Sequence, residues 1–185
     1  DQHAKMAISL EEAYNGTQRV LQLQVVELDS LGQQVPKSRT LNVKVPPGVT
    51  QGQQIRLAGQ GETGRGGGKS GDLYLEIELQ PHRLYRAEGC DMYLTLPVAP
   101  WEVALGSSVS VPTLGGTVEL KIPPGSQSGQ KMRLKGRGLP GKPVGDQYVT
   151  LQIVTPPAKT TAEENLYRQM AQAFQFDLRA DLGKA

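Results

Sequence analysis

Hydrophobic and polar residues alternate along most of this chain. Leu41-Asn-Val43-Lys-Val45 and Leu73-Tyr-Leu75-Glu-Ile77-Glu-Leu79 alternate cleanly. The same pattern returns in Val109-Ser-Val111, in Val118-Glu-Leu120-Lys-Ile122 and in Tyr148-Val-Thr-Leu151-Gln-Ile153. Val20, Leu21, Leu23, Val25 and Leu28 mark a further strand. A period of two places one face of each strand on a core and the other in water. Pro46-Pro47-Gly48 and Pro123-Pro124-Gly125 stop two of the strands, because proline removes a ladder donor and glycine permits a tight turn. Each time the chain returns as another short strand, through Ile55-Arg56-Leu57 and Met132-Arg133-Leu134.

Two segments interrupt the alternation with one or two helical turns each. In Ser9-Leu10-Glu11-Glu12-Ala13-Tyr14-Asn15-Gly16, Ser9 and Glu12 have capping-box spacing and Gly16 ends the turn. In Pro100-Trp101-Glu102-Val103-Ala104-Leu105-Gly106, proline suits the first turn and Gly106 the end. A third helix is predicted after Pro156-Pro157, from a capping box at Thr161 and Glu164 to about Phe174. Ala162, Leu166, Met170, Ala173 and Phe174 fall on one stripe of it, with Tyr167 beside them. That stripe either packs on the preceding strands or pairs with its twin in a homodimer. The terminal position after a Pro-Pro break favours the dimer.

The elements occur twice. Residues 45–61 and 122–138 are identical at 9 of 17 aligned positions, at an offset of 77. Both copies then run into Gly-Asp-x-Tyr, at Gly71-Asp72-Leu73-Tyr74 and Gly145-Asp146-Gln147-Tyr148. Upstream, the two short helices align at an offset of 90. Two copies at this spacing mean one duplicated domain rather than a solenoid, which needs several stacked units. The expected organisation is a first module over residues 1–79, a second over 80–156, and a helix with its tail over 157–185. Modules this small should share an interface or lean on a partner.

Composition narrows the chemistry. The 185 residues carry a net charge of +2, which does not by itself demand a nucleic-acid partner. A single cysteine, Cys90, rules out an intramolecular disulfide and fits a reducing cytoplasm. No apolar run is long enough to span a membrane. Two histidines, His3 and His82, show no metal-site spacing, and without a nucleophile elbow the chain does not read as an enzyme. Gly59-Gln-Gly61-Glu-Thr-Gly64 matches GxGxxG, and Gly68-Lys69-Ser70 hints at a P-loop. Both need a following helix, and here a strand follows, so both read as hairpin loop. No cofactor is implied. Basic residues Arg19, Lys37, Arg39, Lys44, Arg56, Arg65 and Lys69 gather in the first module and read as a solvated face. Aromatics are sparse, with no basic–aromatic interleaving along the chain.

The repeated residues resemble a known family. PPG-x3-GQ-x2-RL-x-G-x-G, Gly-Asp-Leu-Tyr, His82-x2-Tyr85-x3-Gly89-x-Asp91, and Pro-Trp-Glu-x-Ala-Leu-Gly with Val111-Pro-Thr-Leu-Gly-Gly116 are together similar to the C-terminal region of DnaJ-type J-domain co-chaperones. The CxxCxGxG zinc repeats of one class are absent. The chain resembles the class lacking them, and within it the bacterial branch associated with curved DNA and the nucleoid.

This resemblance implies a mainly β fold. It consists of two tandem β-sandwich-like domains with short helices, plus a C-terminal dimerisation helix that makes a horseshoe-shaped homodimer. It also implies that non-native polypeptides bind a shallow apolar groove on the first domain. Carried over residue by residue, that groove is lined by Met6, Leu21, Leu23 and Tyr85, with Ala4 at its edge and Arg19 beside it. The family's J domain, with its His-Pro-Asp tripeptide, is not in this sequence. The chain is therefore expected to hold clients and dimerise without itself stimulating a DnaK-type chaperone. Binding of curved DNA is the second expectation, and the two can coexist.

Overall fold

The computed structural model describes residues 1–28, 33–62 and 70–184, and the side chains of all of these except Glu27 and Leu28. The fold is mainly β. The first module runs β1 (Gln2–Ile8), α1 (Leu10–Asn15), β2 (Thr17–Leu28), β3 (Gln34–Val45), β4 (Gln54–Leu57) and β5 (Leu73–Leu79). The second runs β6 (Tyr85–Glu88), β7 (Asp91–Val98), α2 (Pro100–Leu105), β8 (Ser107–Thr113), β9 (Gly116–Ile122), β10 (Lys131–Leu134) and β11 (Gln147–Ile153). The last element is α3 (Thr161–Ala173). Contacts divide the chain into two compact units, 1–153 and 154–185.

The duplication extends to strand register. In the first module β1 pairs parallel with β5, from Gln2 against Leu73 to Ile8 against Leu79, and β4 pairs antiparallel with β5. In the second, β7 pairs parallel with β11, from Met92 against Gln147 to Val98 against Ile153, and β10 pairs antiparallel with β11. Each module adds a two-stranded antiparallel hairpin, β2–β3 or β8–β9. Among the described residues, the second module alone has a further edge strand, β6, on β7. Four residues were too few to announce β6 in the sequence.

The repeated polar residues hold this architecture. The Asp72 carboxylate accepts from Arg56 Nε at 2.6 Å and from the Gly59 N–H at 2.8 Å, which ties the turn after β4 to the start of β5. The Asp72 N–H in turn donates to Asp1 Oδ1 at 2.8 Å. The second module repeats each bond: Asp146 with Arg133 Nε at 2.7 Å, with the Gly136 N–H at 2.7 Å, and through its own N–H with Asp91 at 2.8 Å. The motif Arg-Leu-x-Gly followed by Gly-Asp therefore encodes one structural clamp. The amide donor and then the guanidinium hold both carboxyls below their ordinary pKa.

The capping box on α1 forms as expected, with Ser9 Oγ accepting from the Glu12 N–H and Glu12 Oε2 from the Ser9 N–H. On α2, Glu102 caps the Ala99 N–H alone. On α3 the cap is Thr160 with Glu163, one residue earlier than the expected Thr161 and Glu164. In Thr160-Thr161 and Glu163-Glu164 two overlapping pairs share the required spacing. The earlier one is chosen because Glu163 Oε2 also accepts from the Lys159 N–H. Residues 63–69, where part of the phosphate-loop lookalikes falls, lie outside the described residues, and the strand β5 follows them rather than a helix.

One hydrophobic cluster spans both modules. It joins Ile8, Leu10, Val43, Val45, Leu73, Leu75 and Ile77 to Met92, Leu94, Val111, Leu120, Leu139 and Val149. Each fully buried aliphatic side chain contributes roughly 1.5–3 kcal/mol, so sharing a core relieves the small size of each module. Polar links cross the same junction. His82 Nε2 lies 2.8 Å from Glu11 of α1, while its Nδ1 accepts from the Leu84 N–H at 3.0 Å. The ring thus fastens the connector to the first module. Gly115, in the β8–β9 turn, sits against the Tyr14 hydroxyl, so a Cβ there would require the Tyr14 side chain to shift.

Candidate functional site

Alternation on β2 sends Leu21, Leu23 and Val25 to one face and Val20 and Val26 to the other, where they are exposed. Across the hairpin, Leu21 pairs with Leu41, and Leu23 with Arg39. Leu21, Leu23 and Ala4 of β1 are partly buried and pack on the shared core cluster. Met6 and Tyr85 belong to the same cluster but are only 4% and 8% exposed. The structure thus brings the five apolar residues expected in the groove into one cluster, in two tiers. Met6 and Tyr85 are its interior, and Ala4, Leu21 and Leu23 reach solvent.

The second module supplies an internal comparison. At an offset of 90, Leu21 corresponds to Val111, Leu23 to Thr113 and Ala4 to Leu94. All three of those counterparts are buried, Val111 completely. The reason is local. The tip of the β8–β9 hairpin meets Tyr14 of the first module at Gly115, and within the second module the buried Gln147 Nε2 donates to the Pro112 carbonyl at 2.9 Å. On β2 the corresponding Leu21 and Leu23 are only partly buried, packed on the shared cluster. The same fold position is closed in one copy and leaves leucines half-open in the other.

Arg19 stands at the edge of this surface, and its guanidinium is engaged. It pairs with Glu12 at 2.6 Å, the same carboxylate that caps α1. Arg19 first, and the Ser9 N–H second, hold the Glu12 carboxyl below its ordinary pKa. Tyr85 also borders a second cavity of about 350 Å³, with Leu10, Leu79, Pro81 and His82.

Within residues 154–185, α3 buries none of its side chains. Leu166 is 65% and Phe174 63% exposed, and Met170 and Ala173 are exposed with them. Tyr167 is half-buried, its hydroxyl donating to the Pro156 carbonyl at 2.5 Å. Tyr167, Met170 and Phe174, with Phe176 and Leu178, surround an apolar hollow of about 480 Å³.

A feature that the sequence did not announce lies on the outer face of the second module. The register aligns Arg86, Tyr93, Tyr148 and Arg133 in one row across β6, β7, β11 and β10. The Tyr93 and Tyr148 rings stack with centroids 5.3 Å apart, and the Arg86 guanidinium lies 4.6 Å from the Tyr93 centroid. The four residues are far apart in the chain, so only the strand pairing brings them together. The first module carries a shorter version: His3 stacks on Tyr74 at 5.2 Å, and Arg56 pairs with Tyr74 across strands.

Among the described residues no group of three or more His, Cys, Asp or Glu side chains is placed to hold a metal ion. No helix there is long and apolar enough to cross a membrane.

Comparison with known proteins agrees with this architecture. The family described as the DnaJ C terminal domain matches residues 2–156. A protein of Coxiella burnetii called Curved DNA-binding protein is 57% identical over 183 residues, covering 98% of this chain and 58% of its own length. Proteins of the same name from Pseudomonas putida and Escherichia coli are 42% and 45% identical. Those alignments cover all of this chain and 59% and 61% of the relatives. The chain thus spans about three fifths of the length of these relatives.

Proposed function

Since the chain belongs to the DnaJ C-terminal domain family, we propose that it holds non-native polypeptides on the apolar surface around Leu21 and Leu23 and pairs with a second copy of itself through α3. The observation that carries the first part is the difference between the two modules. Leucines stay half-open in the first copy at positions that the second copy buries. Apolar side chains held open on a rigid sheet offer a surface to apolar stretches of an unfolded chain. Among the described residues β2 pairs only with β3, and its other edge offers main-chain hydrogen bonds to the same segment. A helix of 13 residues that buries nothing is marginal alone, and pairing with its twin would cover Leu166, Met170 and Phe174. Coupling of the held client to a DnaK-type chaperone would fall to the family's J domain, which this sequence does not contain.

The test is suppression of client aggregation by the Leu21→Ser/Leu23→Ser variant, with circular dichroism to verify the fold. Holding should be lost while the fold is kept. Undiminished holding would remove the surface from the account. The half-exposed positions make the substitution tolerable, whereas Val111→Ser would damage the core.

A second reading is supported by the names of the relatives: binding of curved DNA. Its mark is affinity that falls linearly in a log–log plot against salt, because phosphate contacts release counterions.

A further inference from the structure

The Arg86–Tyr93–Tyr148–Arg133 row is built in a way that restricts its ligand. Tyr93 sits between Arg86 on one neighbouring strand and Tyr148 on the other, so both faces of its ring are covered. A nucleobase cannot stack on a ring that is already sandwiched. What remains outward are ring edges with their hydroxyls and the guanidinium groups, all hydrogen-bond donors. Burial, and then the nearby carboxylates of Glu88 and Asp91, push the Tyr93 hydroxyl above its ordinary pKa.

Beside the row lies a cavity of about 410 Å³ on the same sheet face. Arg83, Arg86, Lys131, Tyr93, Thr95 and Thr150 line it, and no carboxylate does. Arg86 pairs with Glu88, and Arg133 with Asp146, which partly neutralises the row itself. Arg83 and Lys131 have no ion pair among the described residues, and Lys131 Nζ stands 5.7 Å from the Tyr93 ring. The uncompensated charge is therefore concentrated where the cavity opens.

We propose that this face of the second module binds the phosphate backbone of double-stranded DNA, with Arg83 and Lys131 as charge contacts and the Tyr93 and Tyr148 hydroxyls as neutral donors. The proposal rests on the DNA-binding reading above and gives it a location. Four strands spaced at about 4.8 Å make a donor row roughly 14 Å long. That is about the axial rise of four nucleotide steps along one DNA strand, at roughly 3.4 Å each. The shorter His3–Tyr74–Arg56 row repeats the device in the first module. A polymer with evenly spaced charges can use repeated rows of donors. With no base contacts, the face positions the duplex without reading its sequence.

The experiment is fluorescence anisotropy of the full chain with a labelled A-tract duplex and a straight duplex, over a salt series. Arg83→Gln/Lys131→Gln should bind more weakly. Its slope of log affinity against log salt should be shallower by about 1.8, from roughly 0.9 per lost phosphate contact. Lys121→Gln/Lys159→Gln, with the same change in charge, should match the unaltered chain. Tyr93→Phe/Tyr148→Phe keeps the stacked rings and should weaken binding with no change in slope. Client holding should persist in every variant. An unchanged slope in Arg83→Gln/Lys131→Gln, or equal losses in the lysine control, overturns the site while leaving DNA binding standing. In a parallel titration with labelled polyglutamate, loss of polyglutamate binding by Arg83→Gln/Lys131→Gln without loss of DNA binding makes the face a site for acidic polypeptides and overturns the proposal. No binding of either duplex by the unaltered chain removes the DNA reading itself.

Discussion

Gly48 and Gly125 occupy the same place in the two modules, and an alanine at each separates the needs of the turn from those of the junction. Both have positive φ, +86° and +80°. Both close the turn in the same way: the Gly48 N–H donates to the Ala13 carbonyl at 2.7 Å, and the Gly125 N–H to the Val103 carbonyl at 2.8 Å. Alanine in this conformation costs roughly 1–2 kcal/mol at either site. The surroundings differ. A Cβ on Gly125 meets nothing within 4 Å, whereas a Cβ on Gly48 runs into the carbonyl oxygen of Pro140 in the second module. Overpacking against backbone adds roughly 1–3 kcal/mol. Gly48→Ala should therefore cost about 2–5 kcal/mol and Gly125→Ala about 1–2. Any loss of unfolded-state entropy is common to both and cancels in the difference. Urea unfolding followed by circular dichroism and by Trp101 fluorescence reads both values. In thermal unfolding the gap amounts to about 2–4 °C per kcal/mol for a chain of this size. Equal losses at the two glycines would mean that the modules do not meet at Gly48 and Pro140 in solution.

The Asp72 and Asp146 clamps predict a pH dependence. Their folded pKa values are depressed, so their stabilisation is complete above the unfolded value near 3.8 and is lost as pH falls through the lower folded value. Asp72→Asn/Asp146→Asn should be less stable than the unaltered chain at pH 7, and the gap should close below roughly pH 4. A gap in urea midpoint that stays constant into acid contradicts the clamp. For α3, light scattering should give a dimer for the intact chain and a monomer for a chain cut after Pro157. A dimer from the shortened chain places the interface elsewhere.

How far the sequence could be read depended on whether a residue's task is local. Pro46-Pro47-Gly48, Ser9 with Glu12, and Arg56-x-x-Gly59 with Gly71-Asp72 each act within one turn or one hairpin. Their chemistry fixes their spacing, so two copies exposed both the motif and the duplicated fold. Thr160 and Thr161 show the limit of such signals, since either could cap and a single extra bond to Glu163 decided between them. The module junction was not legible, because Gly48, Tyr14, Pro140 and Gly115 are ordinary loop and helix residues until the two copies meet. The apolar surface was half legible. Its residues came from family resemblance, but the two tiers of burial follow from what covers each hairpin. The tyrosine–arginine row was invisible, because its four members are neighbours only through strand register.

The central claim is that duplication produced one closed and one open copy of the same hairpin face, and that the open one holds clients. Its most direct test is the methyl chemical shifts of the chain titrated with an unfolded, apolar polypeptide. The account predicts that perturbations gather on Ala4, Leu21 and Leu23, while Val111, in the matching position of the second module, stays unmoved. Strong shifts in the second module with Leu21 and Leu23 unmoved would contradict it.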